Sequence, residues 1–271
     1  EVYTCYRIEN GIPKISACAK VKSNARQAIH EAQLMNRCQH PHILKVLIGK
    51  RYANNTSVHL YSKMALGSLQ DVIRGKIDIN QEAKKNLMLQ ILDAVAYLHE
   101  QNIVHKDLKP DNILIYKDKQ DFYIAKVMDF GLSVDTRLSH SIPLSSVGYE
   151  SPEVLAFHQH PSSPLYDYFY NDKTPTLGKV MLDSHQELHH RNIGVSKKLD
   201  SWSLGIIYHQ LILGEDPTVD SLKKLSGTHQ KVIHGLLQAD PDLRITAKEA
   251  FDLLLSHLEE SKLPINKRLR A

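Results

Sequence analysis

The amino-terminal third of the chain carries short β-type runs, whereas the rest carries apolar residues at helical spacing. Four apolar and β-branched runs predict strands, at Val2–Ile8, Lys14–Val21, Ile43–Ile48 and Ser57–Met64. The segment 9–13, which contains Gly and Pro, separates the first two runs and predicts a hairpin turn. After the second run, Asn24 is a suitable N-cap for a helix that extends to about Cys38.

Helical spacing dominates from Ala65 onwards. In the segment 81–100, apolar residues recur at intervals of three and four, which predicts a helix with one buried face. The same spacing predicts three later helices, at Leu199–Leu213, Thr228–Leu237 and Thr246–Leu258. A small β-rich part followed by a larger helical part predicts an α+β fold of two lobes with a cleft between them.

The composition is that of an ordinary globular protein. With 271 residues, 42% hydrophobic and 24% charged, the chain can form one enzyme domain or two smaller ones, and disordered and coiled-coil classes are excluded. The net charge of +4 comes without a Lys/Arg block, so no nucleic-acid partner is expected. No apolar run reaches the ~18 residues of a membrane span. Three cysteines without metal-binding spacing favour a reducing compartment, the cytoplasm.

The segment 105–112, which follows the predicted long helix, carries the most informative chemistry. Asp107 can accept a hydroxyl proton, and Lys109 can offset negative charge beside it. Asn112, together with Asp129 of an Asp-Phe-Gly triplet further along the chain, supplies hard oxygen ligands that suit Mg²⁺. Positioning, charge neutralisation and a base are the requirements of phosphoryl transfer.

These residues resemble the protein kinase family, and the resemblance covers nearly the whole chain. The family pattern H-R-D followed four places on by Asn matches His105 to Asn112, with Lys106 in place of Arg. The downstream matches are Asp129–Gly131 for D-F-G, Ser151–Glu153 for A-P-E with Ser for Ala, and Asp200–Gly205 for the D-x-W-S-x-G helix. Arg244 resembles the arginine that pairs with the glutamate of A-P-E, here Glu153.

The resemblance implies a two-lobed kinase fold, with an N-lobe at 1–64 and a C-lobe at 65–271 that carries an insertion at about 156–198. It implies transfer of the ATP γ-phosphate to a protein hydroxyl. Lys109, two places after the catalytic aspartate, is typical of Ser/Thr kinases. Small-molecule phosphotransferases share the H-x-D…N skeleton but lack the Lys-Pro step, the A-P-E block and its arginine partner, which favours a protein substrate.

The resemblance also implies roles in the transfer. Asp107 is the base that orients the hydroxyl, and Lys109 steadies the transferring phosphate. Asn112 and Asp129 hold Mg²⁺. The family's glycine-rich phosphate loop is not in this chain, whose first residues, from Glu1, resemble the strand after that loop. A pseudokinase or scaffold that binds nucleotide or protein partners without turnover is therefore the alternative function.

The N-lobe must supply a lysine for the phosphates and a glutamate to hold it. The segment Ala-Cys-Ala-Lys resembles the V-A-I-K strand and makes Lys20 the phosphate lysine. Glu31 lies nine places before residues 40–43, which resemble the family's H-P-N-I turn, so Glu31 is the helix glutamate. By residue type alone, Lys20 and Glu31 can equally be surface charges.

The resemblance places the adenine site where the lobes join. Residues 66–69 resemble the end of the interlobe hinge, which makes Tyr61 the gatekeeper residue. The remaining expected contacts are the backbone groups of Ser62 and Met64 at the adenine edge and the side chains of Val2, Cys18 and Leu114 on its faces.

Several positions depart from the family pattern. The arginine that Lys106 replaces clamps an activation-loop phosphate bidentately, which lysine does less well, so we expect weak dependence on such phosphorylation. Ser146 occupies the place of a conserved substrate-site threonine and is expected to be structural. The insertion at 156–198 predicts a docking surface for a regulatory protein. These departures suit a divergent kinase, such as a bacterial effector that works in the host cytosol.

Overall fold

The computed structural model describes residues 2–9, 12–22, 25–48, 58–138, 143–159, 163, 176–185 and 195–260. Up to residue 27, and at 47–48, 58–61 and 258–260, it describes the backbone alone. The strands are β1 (Val2–Glu9), β2 (Ile12–Lys22), β3 (Leu47–Ile48), β4 (Val58–Ser62), β5 (Gly67–Ser68), β6 (Ile103–Val104), β7 (Ile113–Lys117), β8 (Tyr123–Val127) and β9 (Val134–Asp135). The helices are α1 (Ala25–Arg37), α2 (Leu69–Ile73), α3 (Gln81–Glu100), α4 (Pro152–His158), α5 (Leu177–Ser184), α6 (Lys197–Leu213), α7 (Val219–Leu222), α8 (Gly227–Leu236) and α9 (Ala247–Glu260).

The amino-terminal sheet is antiparallel, with the strand order β1-β2-β4-β3. The predicted hairpin is confirmed by the β1–β2 pairing, which sets Val2 opposite Lys20, although residues 10 and 11 of its turn lie outside the described ranges. Helix α1 follows β2 as predicted and contacts β3 and β4. Its predicted cap, Asn24, also lies outside the described residues.

The strand predicted over 43–48 is wrong in its first four residues, since only its last two residues form a strand, β3, of the amino-terminal sheet. The preceding residues bond to β8 instead. The Val127 N–H donates to the His42 carbonyl over 2.8 Å, and the Leu44 N–H donates to the Val127 carbonyl over 2.9 Å. This backbone contact joins the amino-terminal sheet region to the second sheet. The apolar run at 43–46, which has the pattern of a strand, therefore connects the two sheets.

Strand β4 ends at Ser62 rather than at Met64 as predicted, and the chain then enters the second lobe. There the Leu66 N–H donates to the Ile115 carbonyl over 2.8 Å. The second sheet is antiparallel with the order β5-β7-β8, and β6 pairs with β9 beside it. The hairpin β7–β8 therefore connects the two sequence segments that carry the candidate chemistry.

Helix α3 has the predicted bounds and forms the centre of the second lobe. Asn80 caps it, because its side-chain oxygen accepts the Ala83 N–H over 2.8 Å. The prediction of a single buried face is wrong: 11 of its residues are buried. Helices α6 and α9 and strand β8 pack around it, which buries more than one side of the helix.

Helices α6, α8 and α9 lie within two residues of their predicted bounds. Helix α6 ends where Gly214 adopts a left-handed φ of +75°. Helices α4 and α5 were not predicted, since each has fewer than nine residues. They pack through a small cluster that includes Leu155 and Leu182. Among the described residues, no helix is both long and apolar enough to cross a membrane.

Candidate active site

The loop that carries Asp107 is anchored by a buried carboxylate, Asp200 of α6. Asp200 accepts the backbone N–H of His105 over 2.8 Å and that of Lys106 over 2.9 Å, and its Oδ2 lies 2.9 Å from Nε2 of His99. Burial alone raises the pKa of Asp200, but the hydrogen bond and charge of His99, with His105, hold it below its usual value. The ionised carboxylate thus fixes the loop backbone, in which Lys106 adopts a left-handed φ of +69°.

Asn112 orients Asp107 from the other side. Its Nδ2 donates to the Asp107 backbone carbonyl over 2.8 Å and to Oδ2 of the carboxylate over 2.9 Å. Asn112 lies at the end of a 3₁₀ turn over Pro110–Asn112, just before β7. The Asp107 side chain remains 14% exposed, so the carboxylate is held rigidly and yet reaches the surface of the site.

A hydroxyl already occupies the space between Asp107 and Lys109. Ser146 donates its hydroxyl to Asp107 Oδ1, and Lys109 Nζ donates to the Ser146 oxygen over 2.8 Å. Lys109 Nζ also lies 3.5 Å from Asp107 Oδ2. The arrangement presents an alcohol oxygen to a carboxylate acceptor with a cation beside it, which is the donor and acceptor set that hydroxyl activation requires.

Asp129 follows β8, and the antiparallel register places the end of β8 beside the start of β7. The Met128 N–H donates to the Asn112 carbonyl over 2.9 Å, which ties the residue before Asp129 to Asn112. His105 Nε2 contacts the Met128 carbonyl over 3.0 Å, and Phe130 is fully buried against the His105 ring. Asp129 itself has a left-handed φ of +65°. Two oxygen-bearing side chains predicted to hold a metal thus come from adjacent strand ends.

The amino-terminal candidates are described less completely. Glu31 lies on α1 and is buried. A buried glutamate is normally paired with another group inside the protein. For Lys20, Val2, Cys18 and Tyr61 only the backbone is described, so the predicted contact between Lys20 and Glu31 lies outside the described side chains. The sheet register sets these four residues in the adjacent strands β1, β2 and β4.

The hinge candidates lie where β4 leads into the second sheet. The Tyr116 hydroxyl donates to the Lys63 carbonyl over 2.9 Å and fixes this connection. Met64 is 42% exposed, and Ser62 is half-buried. Leu114, on β7, is also half-buried and pairs with Ser68 of β5.

The predicted pair Glu153–Arg244 is confirmed. Both side chains have no exposed surface, and the two Nη–Oε distances are 2.6 and 2.8 Å. The guanidinium also lies 5.0 Å from the ring of Trp202. This bidentate pair fixes the end of the segment that carries Ser146 to the carboxy-terminal helices.

Two residues of the site, Asp200 and Ser146, make contacts that the sequence does not predict. The sequence identifies Asp200 only as part of a motif, whereas in the structure its carboxylate is the acceptor that holds the loop of Asp107. Ser146 was expected to be structural, and its direct contact with both Asp107 and Lys109 was not predicted. The available signal was its family position, three places before Tyr149.

Comparison with known proteins agrees with this geometry. Residues 1–170 match the family model described as the protein kinase domain, and the chain belongs to that family. The two-lobed α+β kinase fold is also that of the yeast RNA Pol II CTD kinase CTDK-1 complex, with a TM-score of 0.63, 17% identity and coverage of 92% of this chain and 90% of that one.

Curated relatives are themselves protein kinases. The liver/testis isoform of the phosphorylase b kinase gamma catalytic chain from Mus musculus is 26% identical over 233 residues, which cover 78% of this chain and 49% of that protein. Calcium/calmodulin-dependent protein kinase type 1 of Macrobrachium nipponense is 30% identical over 193 residues, covering 70% and 45%. Serine/threonine-protein kinase RAD53 of Saccharomyces cerevisiae is 28% identical over 262 residues, covering 88% and 29%. The chain spans about half the length of these relatives or less.

Proposed function

We propose that the chain is an active protein kinase that transfers the γ-phosphoryl group of ATP to a serine or threonine hydroxyl of a protein. The observation that carries the proposal is the Ser146 hydroxyl held between Asp107 and Lys109. A substrate serine or threonine presents the same group, and the site already has an acceptor for its proton and a cation for the adjacent negative charge.

Asp107 is the base and orienter in this proposal. Its carboxylate is fixed by the Asn112 amide and needs no rearrangement to accept a second hydroxyl. As the substrate oxygen bonds to the γ-phosphorus, the bond from that phosphorus to the departing ADP oxygen breaks. The hydroxyl proton passes to the Asp107 carboxylate. Lys109, 3.5 Å from Asp107, offsets the charge on the transferring group.

Asn112 and Asp129 fit a divalent cation such as Mg²⁺. Both hydrogen bonds that orient Asn112 use its Nδ2, which leaves the amide oxygen for a metal. Asp129 adds a carboxylate from the adjacent strand end. Bound Mg²⁺ supplies neutralisation of charge on the ATP phosphates. In this proposal, the two side chains hold the metal, and Asp107 is left to accept the proton of the substrate hydroxyl.

The nucleotide is proposed to lie between an N-lobe of residues 1–64 and a C-lobe of residues 65–271. Lys20 grips the α- and β-phosphates and is held by Glu31. The Tyr116 hydroxyl donates to the Lys63 carbonyl and so holds the backbone between Ser62 and Met64. This fixed connection supports the assignment of the Ser62 and Met64 backbone to the adenine edge. The side chains of Val2, Cys18, Tyr61 and Leu114 complete the proposed pocket.

Activation is proposed to depend weakly on phosphorylation of the loop after Asp129. Lys106 is buried, and burial lowers its pKa, an effect that Asp200 opposes. Its ammonium is therefore not exposed to a phosphate on the loop. The Thr136 hydroxyl donates to the Asn102 carbonyl over 3.2 Å, while Ser139 and Ser141 lie outside the described residues. The insertion at 156–198, which includes α5, is proposed to dock a regulatory protein.

The proposal is tested by transfer of labelled γ-phosphate to a mixed protein substrate. Asp107→Asn and Asp129→Asn should each lower kcat by about a thousandfold, since one removes the base and the other a metal ligand. Asp111→Asn is the matched control, because Asp111 is exposed in the same turn, and it should keep activity within about twofold. Unchanged turnover in Asp107→Asn would refute the mechanism. Nucleotide binding by the wild type without transfer would indicate a pseudokinase.

A further inference from the structure

A groove rich in lysine lies between the segment after α1, the hinge and the β7–β8 hairpin. Its volume is about 520 Å³, within the ~300–1,000 Å³ of ligand sites. Five lysines line it: Lys45, Lys63, Lys117, Lys119 and Lys126. Among the described residues that line the groove, Asp118 is the single carboxylate. The groove is thus strongly positive in a chain whose net charge is only +4.

Among the described residues, the positive charge of the groove exceeds the nearby negative charge. Asp118 Oδ1 accepts the N–H groups of Gln120 and Phe122 over 2.8 and 3.0 Å in the hairpin turn, and its single charge offsets at most one of the five lysines. Lys117 has Asp121 at 3.4 Å. The other exposed lysines of the rim form no ion pair with a carboxylate in the part of the chain that the structure describes; they are Lys45, Lys63 and Lys119.

The lysines also repel one another. Lys126 is half-buried, and its ammonium donates to the Pro41 carbonyl. Burial lowers the pKa of Lys126, and the charges of Lys45 and Lys63 lower it further. An anion in the groove would relieve this repulsion, so the geometry and the charge both favour a negatively charged ligand.

We propose that this groove docks an acidic peptide segment of a protein partner. Its floor is apolar, since Leu44 and Tyr116 are buried and Ile124 is half-buried, while the lysines form the rim. An apolar centre with a charged rim is the anatomy of a protein–protein contact. Lysine is a flexible point charge, whereas bidentate recognition of phosphate favours arginine, which is not among the described residues that line this groove. Acidic side chains flanking apolar ones therefore fit the groove better than a nucleic acid or a phospholipid headgroup.

The proposal is independent of phosphoryl transfer and is tested by binding. The probe is a short fluorescent peptide of glutamates with interspersed leucines, titrated with the 271-residue chain in an anisotropy assay. Lys45→Glu/Lys119→Glu should weaken binding by about tenfold or more at low salt. Lys223→Glu/Lys231→Glu makes the same charge change at exposed lysines elsewhere and should leave the affinity within about twofold.

The outcomes separate docking from general charge attraction. Equal weakening by both double variants, or equal binding of a glutamine-for-glutamate peptide, would overturn the proposal. Tighter binding of a single-stranded oligonucleotide or of vesicles that contain phosphatidylinositol bisphosphate would overturn the choice of partner. If the reversed charges unfold the chain, Lys45→Gln/Lys119→Gln decides the matter, and it should weaken peptide binding by about threefold. An unchanged affinity in that variant would refute the site.

Discussion

Loss of the glutamate from the buried Glu153–Arg244 pair should destabilise the protein far more than loss of an exposed ion pair. Glu153→Gln keeps the shape of the side chain but removes its charge. The Arg244 guanidinium then remains ionised in a site where both side chains have no exposed surface. Breaking a buried pair in this way typically costs about 3–5 kcal/mol, because it leaves an uncompensated buried charge.

The structure places the expected cost at the lower end of that range. Arg244 keeps hydrogen bonds to three backbone carbonyls when the carboxylate is lost, those of Gln238 (2.9 Å), Lys198 (2.8 Å) and Ala239 (3.1 Å). The glutamine amide also keeps one acceptor oxygen. We therefore expect Glu153→Gln to lower the free energy of unfolding by about 3 kcal/mol. Glu153→Leu/Arg244→Met should cost less than Glu153→Leu alone, since it removes the orphaned charge.

Urea unfolding followed by circular dichroism measures these costs without adding salt. The control is Asp252→Asn, which breaks the Lys248–Asp252 pair of α9. The two members of this pair are 56% and 55% exposed, so its loss should cost less than about 1 kcal/mol. A cost for Glu153→Gln equal to that of Asp252→Asn, with an unchanged m-value, would refute the reasoning from burial.

Three further predictions concern single side chains. Ser146→Ala should lower kcat by about tenfold to a hundredfold while Ser146→Thr keeps it, because only the alanine variant loses the hydroxyl that donates to Asp107. Steady-state kinetics on folded variants measure this, and an unchanged kcat in Ser146→Ala would contradict it. Burial lowers the pKa of His42 to about 4, and its Nε2 has no partner among the described residues. Neutral His42 therefore contributes stability that is complete above about pH 6.5 and is lost as the pH falls towards 4. Between about pH 7.5 and pH 5 the wild type should therefore lose about 2 kcal/mol more than His42→Asn in urea unfolding, and equal losses would disprove the assignment. Gly178→Val should lower the free energy of unfolding by about 1–3 kcal/mol in thermal melts, since its Cβ would lie 2.2 Å from the Glu150 carbonyl oxygen. An unchanged melting temperature would show that α5 is not held against Glu150.

Long periodic segments and ordered motifs were predictable from the sequence. The bounds of α3 follow from its apolar spacing. The Glu153–Arg244 pair follows from motif resemblance, since the two residues are 91 positions apart and no local pattern joins them. Motif resemblance therefore predicts a long-range contact that hydrophobic periodicity cannot predict.

Short elements and shared hydrogen bonds were not predictable. Residues 43–46 have the pattern of a strand, but the backbone around Ile43 bonds to Val127 of β8, a partner far along the chain. Helix α5 has eight residues and draws its stability from packing on α4 rather than from helix propensity. Asp200 can bond to His99, His105 and Lys106 only once the fold has brought α6 to the loop around His105.

The most direct test of the central claim is identification of the phosphorylated amino acid after incubation with γ-labelled ATP, Mg²⁺ and a mixed protein substrate. The account predicts phosphoserine and phosphothreonine from the wild type and from Asp111→Asn, and none from Asp107→Asn or after chelation of the metal. ATP binding without any labelled protein, or label found only on a small-molecule hydroxyl, would contradict the claim that this chain phosphorylates proteins.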